Sequence, residues 1–375
     1  MAFGGETVQS SIFYRGRATD QTVRYLSNWH RLNQPILFRT RYFPTTEHLY
    51  KWTKAKFFND NRSAEEIMSI ERRPDQLSQM CTYREPQHRA LNKKWNDLKE
   101  EVMIKITEIK FGSDSGLRQL LIGTGDCQLI EDTNDECWGR GRDGSGSNLH
   151  GKCLMRVRDF YRFSATSPST LLVGDSLVPN IELPDCKTIC MGGAHAGQVC
   201  LIAELFVQLG VTNLVLHVGT NDCFPRPTEH LHGHDFRFGH SRHQLLTLIQ
   251  MICGICRRNR SLTVAVSPII SRPCDISHIS DELVQMRIDL NELLISKIIE
   301  EQKHNQYQNL RVFDHRWLLD LNSAEKCFDD KDLLHLNAEG KKVFRGFLVS
   351  ALYQMQLFPT YIVLDGKIIM PQSTE

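Results

Sequence analysis

No stretch of this 375-residue chain approaches the roughly 18 consecutive apolar residues of a membrane span, so the sequence predicts no helix across a bilayer. The opening MAFGGETVQS lacks the basic start and apolar stretch of a secretion signal, an expectation that places the chain in the cytoplasm, with the nucleus equally open. A net charge of +1 argues against broad non-specific binding of nucleic acid, while leaving a local basic face open. Repeats at solenoid periods and a sustained heptad are both missing, which removes repeat arrays and coiled coils. Twelve cysteines without a secretion signal read as reduced thiols, mostly packing residues. The one CxxC, Cys253 and Cys256, lies in a helix-like apolar segment and has no second pair at zinc-ribbon spacing.

What is there is globular: 41% hydrophobic and 24% charged residues, in a chain longer than the roughly 250–300 residues at which single cores usually split. FSATSPST gathers Ser, Thr and Pro between two apolar blocks and marks a linker. The expected domains are 11–160 and 171–356, joined by a linker at 161–170 and followed by a tail at 357–375. In that tail YIVLDGKIIM reads as a hairpin turning at Asp365-Gly366.

After the linker, β-rich runs alternate with helical patterns: TLLVG, TNLVLHVG, LTVAVSP and LRVFDH, with amphipathic stretches between them and a closing helix near 337–354. That alternation predicts an α/β fold with a doubly wound parallel sheet, whose ligands lie beyond the carboxyl ends of the strands. Ser176, Asn221 and Ser267 fall at those ends. In LLVGDSLVPN, Ser176 is either a helix cap or a nucleophile, and the stretch alone favours the cap. Asp332 and His335 in DLLHLN are three apart, so a carboxylate can orient an imidazole base. Asn221 in HVGTND can donate to an oxyanion, and Gly193 in MGGAHAG offers a backbone N–H without an intervening Cβ. The stretch TEHLHGHDFRFGHSRH reads as a loop with five histidines, His230, His232, His234, His240 and His243, and is more readily a solvated loop than a metal site.

GDS, the glycine of MGGA, GTND and DxxH in this order resemble the four blocks of the GDSL/SGNH hydrolases, in a form similar to the esterase-like domains of LINE-type retrotransposon proteins. The resemblance implies a flavodoxin-like domain with Ser176 as nucleophile, His335 as base and Asp332 orienting it. It also implies an oxyanion hole from the Ser176 and Gly193 amides and the Asn221 side chain. Asp329 and Asp330 are rivals for the orienting role, and Pro179 stands where that form more often carries a basic residue.

The first half has fewer generic motifs. In YFPTTEHLYKW, Pro44-Thr45-Thr46 reads as a helix entry and Glu47 as a first-turn acid, which suits the helix dipole. Ser27-Asn28-Trp29, Thr46-Glu47-His48, Lys54-Ala55, Trp95, Thr124-Gly125-Asp126, Trp138-Gly139, Asn148 and the closing LMRVR together resemble the NADAR, or YbiA-like, family. The resemblance implies a mainly helical α+β domain that cleaves an N-glycosidic bond to a phosphorylated ribose or ADP-ribose-like group. Glu47 would then be the catalytic carboxylate, with Asp126 and Asp135 in reserve. Trp138 or Trp95 would stack on a base or ribose and Lys54 would meet phosphate, while Asn28, Gly139 and Asn148 would complete the binding set. Arg84 or Arg89 would replace a Gly-Arg element common in the family.

The combined expectation is a two-domain hydrolase, N-glycosidase plus serine esterase, acting on a small ribosylated nucleotide and an acyl ester, with no cofactor or metal. The alternative is a non-catalytic ADP-ribose or nucleic-acid binding module derived from a mobile element.

Overall fold

The computed structural model describes residues 10–15, 22–70, 74–163, 168–175, 178, 185–208, 210–223, 234–267, 269, 281–304, 307–312, 337–345, 362–364 and 367–369. The chain divides into two compact units, Met1–Ser167 and Pro168–Glu375. Among the described residues no helix is long and apolar enough to cross a membrane.

The first unit is helical with short sheets. Strand β1 (Ser11–Tyr14) pairs in parallel with β4 (Gln128–Glu131), and β2 (Ile36–Phe38) and β3 (Arg41–Phe43) form an antiparallel hairpin. The helices are α1 (Thr46–Phe57), α2 (Asn61–Ser69), α3 (Pro74–Gln79), α4 (Arg89–Ser113), α5 (Ser115–Gly123) and α6 (Leu149–Phe163). Thr45 and Asp60 cap α1 and α2 by accepting the backbone N–H groups of His48 and Ser63; such caps satisfy donors that the first turn would leave unpaired. The long α4 packs against α1, α5 and α6 and buries Trp95, Val102, Ile106 and Phe111.

The second unit is built on β5 (Thr170–Gly174), β6 (Cys186–Cys190), β7 (Asn213–His217), β8 (Thr263–Ser267) and β9 (Leu310–Val312). These five strands are all parallel, in the order β6-β5-β7-β8-β9. This is the doubly wound order in which the connections reverse beside the first strand, and the crevice there is where such sheets take ligands. Every residue of β5 is buried, as expected of a strand covered on both faces. Helices α7 (Ala196–Phe206), α8 (Thr220–Cys223), α9 (His234–Arg258) and α10 (Asp281–His304) connect the strands, and residues 338–345 are helical. The tail forms the hairpin β10 (Ile362–Leu364) and β11 (Lys367–Ile369).

Two expectations are revised. Tyr161–Phe163 still belong to α6 and Thr170 already to β5, so regular structure enters both ends of the 161–170 stretch. The histidine-rich stretch is not a loop from His234 onward, because α9 begins there. No proline interrupts α9, and its two glycines, Gly239 and Gly254, cost a helix interior only about 1 kcal/mol each. His230 and His232 lie outside the described residues, among which no group of three or more His, Cys, Asp or Glu could hold a metal ion.

Candidate functional site

In the first unit the site begins at the N-terminus of α1. The Thr46 hydroxyl lies 3.0 Å from Asn28 Oδ1 and 3.1 Å from the Asn28 carbonyl, and the Glu47 N–H donates to that carbonyl at 3.1 Å. The Asn28 amide in turn reaches Met103 Sδ at 3.3 Å. One step on, His48 Nε2 lies 2.8 Å from the Ile70 carbonyl, which makes it the donor. Burial lowers the proton affinity of this ring, which favours the neutral form with Nδ1 accepting from the Thr45 hydroxyl 2.7 Å away. The turn that presents Glu47 is therefore fixed from both sides.

Burial raises the Glu47 carboxyl above the usual carboxylate range. Lys51 and His150 oppose the rise, and Glu131 and Asp135 add to it. A carboxyl tuned upward is a stronger base at neutral pH. One turn after Glu47, the Tyr50 ring meets Trp138 edge to face at 5.5 Å. Trp138 is half-buried and sits on a turn held by Asp135, whose Oδ1 accepts the Cys137 and Trp138 N–H groups, both at 2.8 Å. Lys99 Nζ stands 6.0 Å over the Trp138 ring and 3.1 Å from Cys137 Sγ.

Lys54 lies 5.7 Å from the Tyr83 ring centre and 5.9 Å from that of Phe58, the two rings being stacked at 4.1 Å. Burial, helped by the positive charges of Lys51 and Lys99, lowers its ammonium to about 8. A cation crowded by positive neighbours in this way favours an anionic ligand. On the other side, Tyr14 Oη and His150 Nδ1 are 3.0 Å apart, and Nδ1 is 3.7 Å from Glu131 Oε1.

Several residues singled out in the sequence prove to be braces. Asn28 is buried with its amide engaged as described. Asn148 adopts a left-handed backbone, and its side chain accepts from the Glu131 N–H and donates to the Leu129 carbonyl, both at 2.9 Å. It latches β4 to the start of α6. Trp95 is 2% exposed, packed on Tyr50 and Phe57, so of the two tryptophans only Trp138 has an open face. Asp126 pairs with Arg162 at the surface, 2.6 Å away. Gly139 is needed for packing, since a Cβ there would fall 2.1 Å from Thr133 Oγ1. Arg84 and Arg89 are both exposed, whereas Lys51 and Lys99 are the charges beside Lys54. Lys51 could have been found as the i+4 neighbour of Glu47 on one helix face, and Lys99 as the i+4 neighbour of Trp95. Glu131, His150 and Tyr14 had no local signal.

In the second unit Ser176, Asp332 and His335 lie outside the described residues, as do Pro179, Asp329 and Asp330. The turn after β5 and the neighbouring strand ends lie within the described residues. A Cβ on Gly174 would lie 2.4 Å from Val178 Cγ2 and 2.9 Å from the His217 carbonyl, so the turn after β5 admits no side chain there. The Val178 N–H donates back to the Asp175 carbonyl at 3.2 Å, closing the turn. Beneath it runs a buried polar row that the sequence did not reveal: His217 Nδ1 is 2.7 Å from Ser267 Oγ, and His217 Nε2 is 3.9 Å from Asp175 Oδ1. Ser267 thus supports the strand ends.

Gly193 has a positive φ of 64°, and Asn221 donates to the adjacent Ala194 carbonyl at 3.0 Å. Asp222 accepts the Ala196 N–H at 3.0 Å, so one loop and one short helix are tied together with Gly193 and Asn221 side by side. Cys253 and Cys256 are buried free thiols on α9, in keeping with a packing role.

The NADAR domain family matches residues 12–162. The N-glycosidases YbiA of Shigella boydii and Escherichia coli are each 36% identical over 128 residues, which is 33% of this chain and 74% of theirs. A riboflavin biosynthesis protein of Vibrio vulnificus is 31% identical over 141 residues, 37% of this chain and 36% of that one. Among solved structures, a member of the lipolytic protein G-D-S-L family from Veillonella parvula is 14% identical with a TM-score of 0.34, over 51% of this chain and 97% of that one. A lipase/acylhydrolase from Enterococcus faecalis is also 14% identical, with a TM-score of 0.33 over 54% and 99%. On the YbiA likeness and the domain match, this chain belongs to the NADAR family.

Proposed function

We propose that the first unit hydrolyses the N-glycosidic bond of a phosphorylated ribose or ADP-ribose-like nucleotide. The observation that carries this reading is the half-buried, upward-tuned Glu47 carboxyl on the helix that also carries Tyr50, packed edge to face on Trp138, and Lys51 and Lys54. Trp138 stacks on the base or ribose, and Lys51, Lys54 and Lys99 receive the phosphate. Glu47 takes a proton from water as that water adds to C1′, and its charge stabilises the oxocarbenium-like transition state. The relatives named N-glycosidase support the reaction type. Release of ribose phosphate or ADP-ribose from N-glycosides, lost in Glu47→Gln, tests the reading.

For the second unit the proposal is ester hydrolysis, with Ser176 attacking the carbonyl, His335 taking its proton and Asp332 holding the ring. The pairing of Gly193 with Asn221 beyond the strand ends supports an oxyanion hole there. Turnover of an acyl-nitrophenyl ester, abolished in Ser176→Ala, tests it. A binding module without turnover is the competing account; nucleotide binding with no hydrolysis of nucleotide or ester would favour it.

A further inference from the structure

The parallel pairing of β1 with β4 sets Tyr14 opposite Glu131, and the His150 ring joins the two. Its Nδ1 is 3.0 Å from Tyr14 Oη and 3.7 Å from Glu131 Oε1. Tyr14 and His150 are each 1% exposed, whereas the Glu131 side chain keeps 12% of its surface open. His150 Nε2 is buried and has no hydrogen-bond partner among the described residues. A two-stranded sheet needs none of this. An unpaired buried polar atom costs stability, and residues that keep one are often tied to function.

The group also adjoins Glu47. Trp138, whose ring meets Tyr50 one turn beyond Glu47, accepts the His150 N–H on its own carbonyl at 3.1 Å. The Glu131 carbonyl accepts from Arg140 N–H at 2.9 Å, and Asn148 holds the Glu131 N–H. The Glu131 backbone is therefore fixed on both sides while its carboxyl stays partly open. The mutual influence of the charges agrees, since Glu131 raises and His150 lowers the proton affinity of Glu47.

We propose that Glu131 is the second catalytic carboxyl of this site: it shares one proton with His150 and delivers it to the leaving nitrogen. The proposal rests on the N-glycosidase reading of the first unit. The C1′–N bond breaks with its electron pair passing to nitrogen, which takes the proton from Glu131. Water forms the new C1′–O bond and gives a proton to Glu47. Solvent exchange then returns one proton to the Glu131–His150 pair and removes one from Glu47. His150 and Tyr14 are positioning residues, acting through Glu131.

The test compares two ribose 5-phosphate N-glycosides on the full chain: one with an amine or purine leaving group, which needs a proton, and a pyridinium one, which departs neutral without it. Glu131→Gln should lower kcat for the first by about 10²–10⁴-fold, the usual worth of general acid catalysis, and change the second by no more than about threefold. Glu47→Gln should slow both. Glu131→Asp, which keeps the acid on a shorter arm, should fall between Glu131→Gln and the wild type on the first substrate. His150→Gln should move the alkaline limb of the pH profile for the first substrate. Equal losses of Glu131→Gln on both substrates, no loss on either, or an unmoved alkaline limb would overturn the proposal while leaving the N-glycosidase reading standing. Turnover of neither substrate by the wild type overturns that reading and the proposal with it.

Discussion

The Thr46 hydroxyl lies 3.0 Å from Asn28 Oδ1, and this buried contact fixes the turn of α1 on which Glu47 stands. Asn28 makes its contacts within the fold, to Thr46, Glu47 and Met103, and the direction of the proposed catalytic carboxyl depends on them. Asn28→Ala should destabilise the protein by about 1–3 kcal/mol, the cost of leaving a buried partner unpaired. Denaturant unfolding measures the loss, and kcat should fall with KM little changed.

Trp95 and Trp138 should separate cleanly. Trp95→Ala empties a packed site against Tyr50 and Phe57 and should cost about 3–5 kcal/mol of stability. Trp138→Ala should leave the melting temperature closer to the wild type and raise KM for the nucleotide. Thermal melts and steady-state kinetics on the two variants check this.

Lys54 carries a charge that is lost above about pH 8. Phosphate recognition that uses this ammonium should weaken as pH rises through that value, so KM for a phosphorylated N-riboside should climb while KM for the unphosphorylated riboside stays flat. Lys54→Met should show the high KM at every pH.

Lys110 is buried on α4, donates to the Ser27 carbonyl at 2.9 Å, and has its ammonium lowered by burial from 10.5 to about 7. Between these values the unfolded chain binds the proton and the folded chain does not, so stability rises with pH, by up to about 1.4 kcal/mol per pH unit. Below about pH 7 both states are protonated and the folded state carries the full penalty. Denaturation at pH 7, 8 and 9 should show the rise, and Lys110→Met should flatten it.

Asn221→Ala should lower ester turnover by about 10²–10³-fold, the usual cost of one oxyanion donor. The same change removes the bond to Ala194, so a folding measurement should accompany the rate.

Much of this architecture is legible in the residues. The strands β5, β7 and β8 stand out because they are continuous apolar runs ended by glycine or polar residues, and the entry to α1 because Thr45 and Glu47 follow capping rules. The sheet order is not legible, since strand spacing along the chain does not say which edges pair. Asn28 and Asn148 have the chemistry of ligand readers, yet the Asn28 amide is engaged by the Thr46 hydroxyl and the Met103 sulfur, and the Asn148 amide by the backbone of β4. Glu131 and His150 carry no local pattern, because their meeting with Tyr14 joins positions 136 residues apart. The histidines from 234 to 243 look like a loop by composition, yet helix pattern continues through them into α9.

Glu47, as proposed, is the carboxylate that drives N-glycosidic cleavage. The most direct measurement is single-turnover release of ribose phosphate or ADP-ribose from an N-glycoside by wild-type protein and Glu47→Gln, with both shown to melt alike. The substitution should lower the rate by about 10²–10⁴-fold while substrate still binds. A Glu47→Gln protein that turns over at the wild-type rate would contradict it.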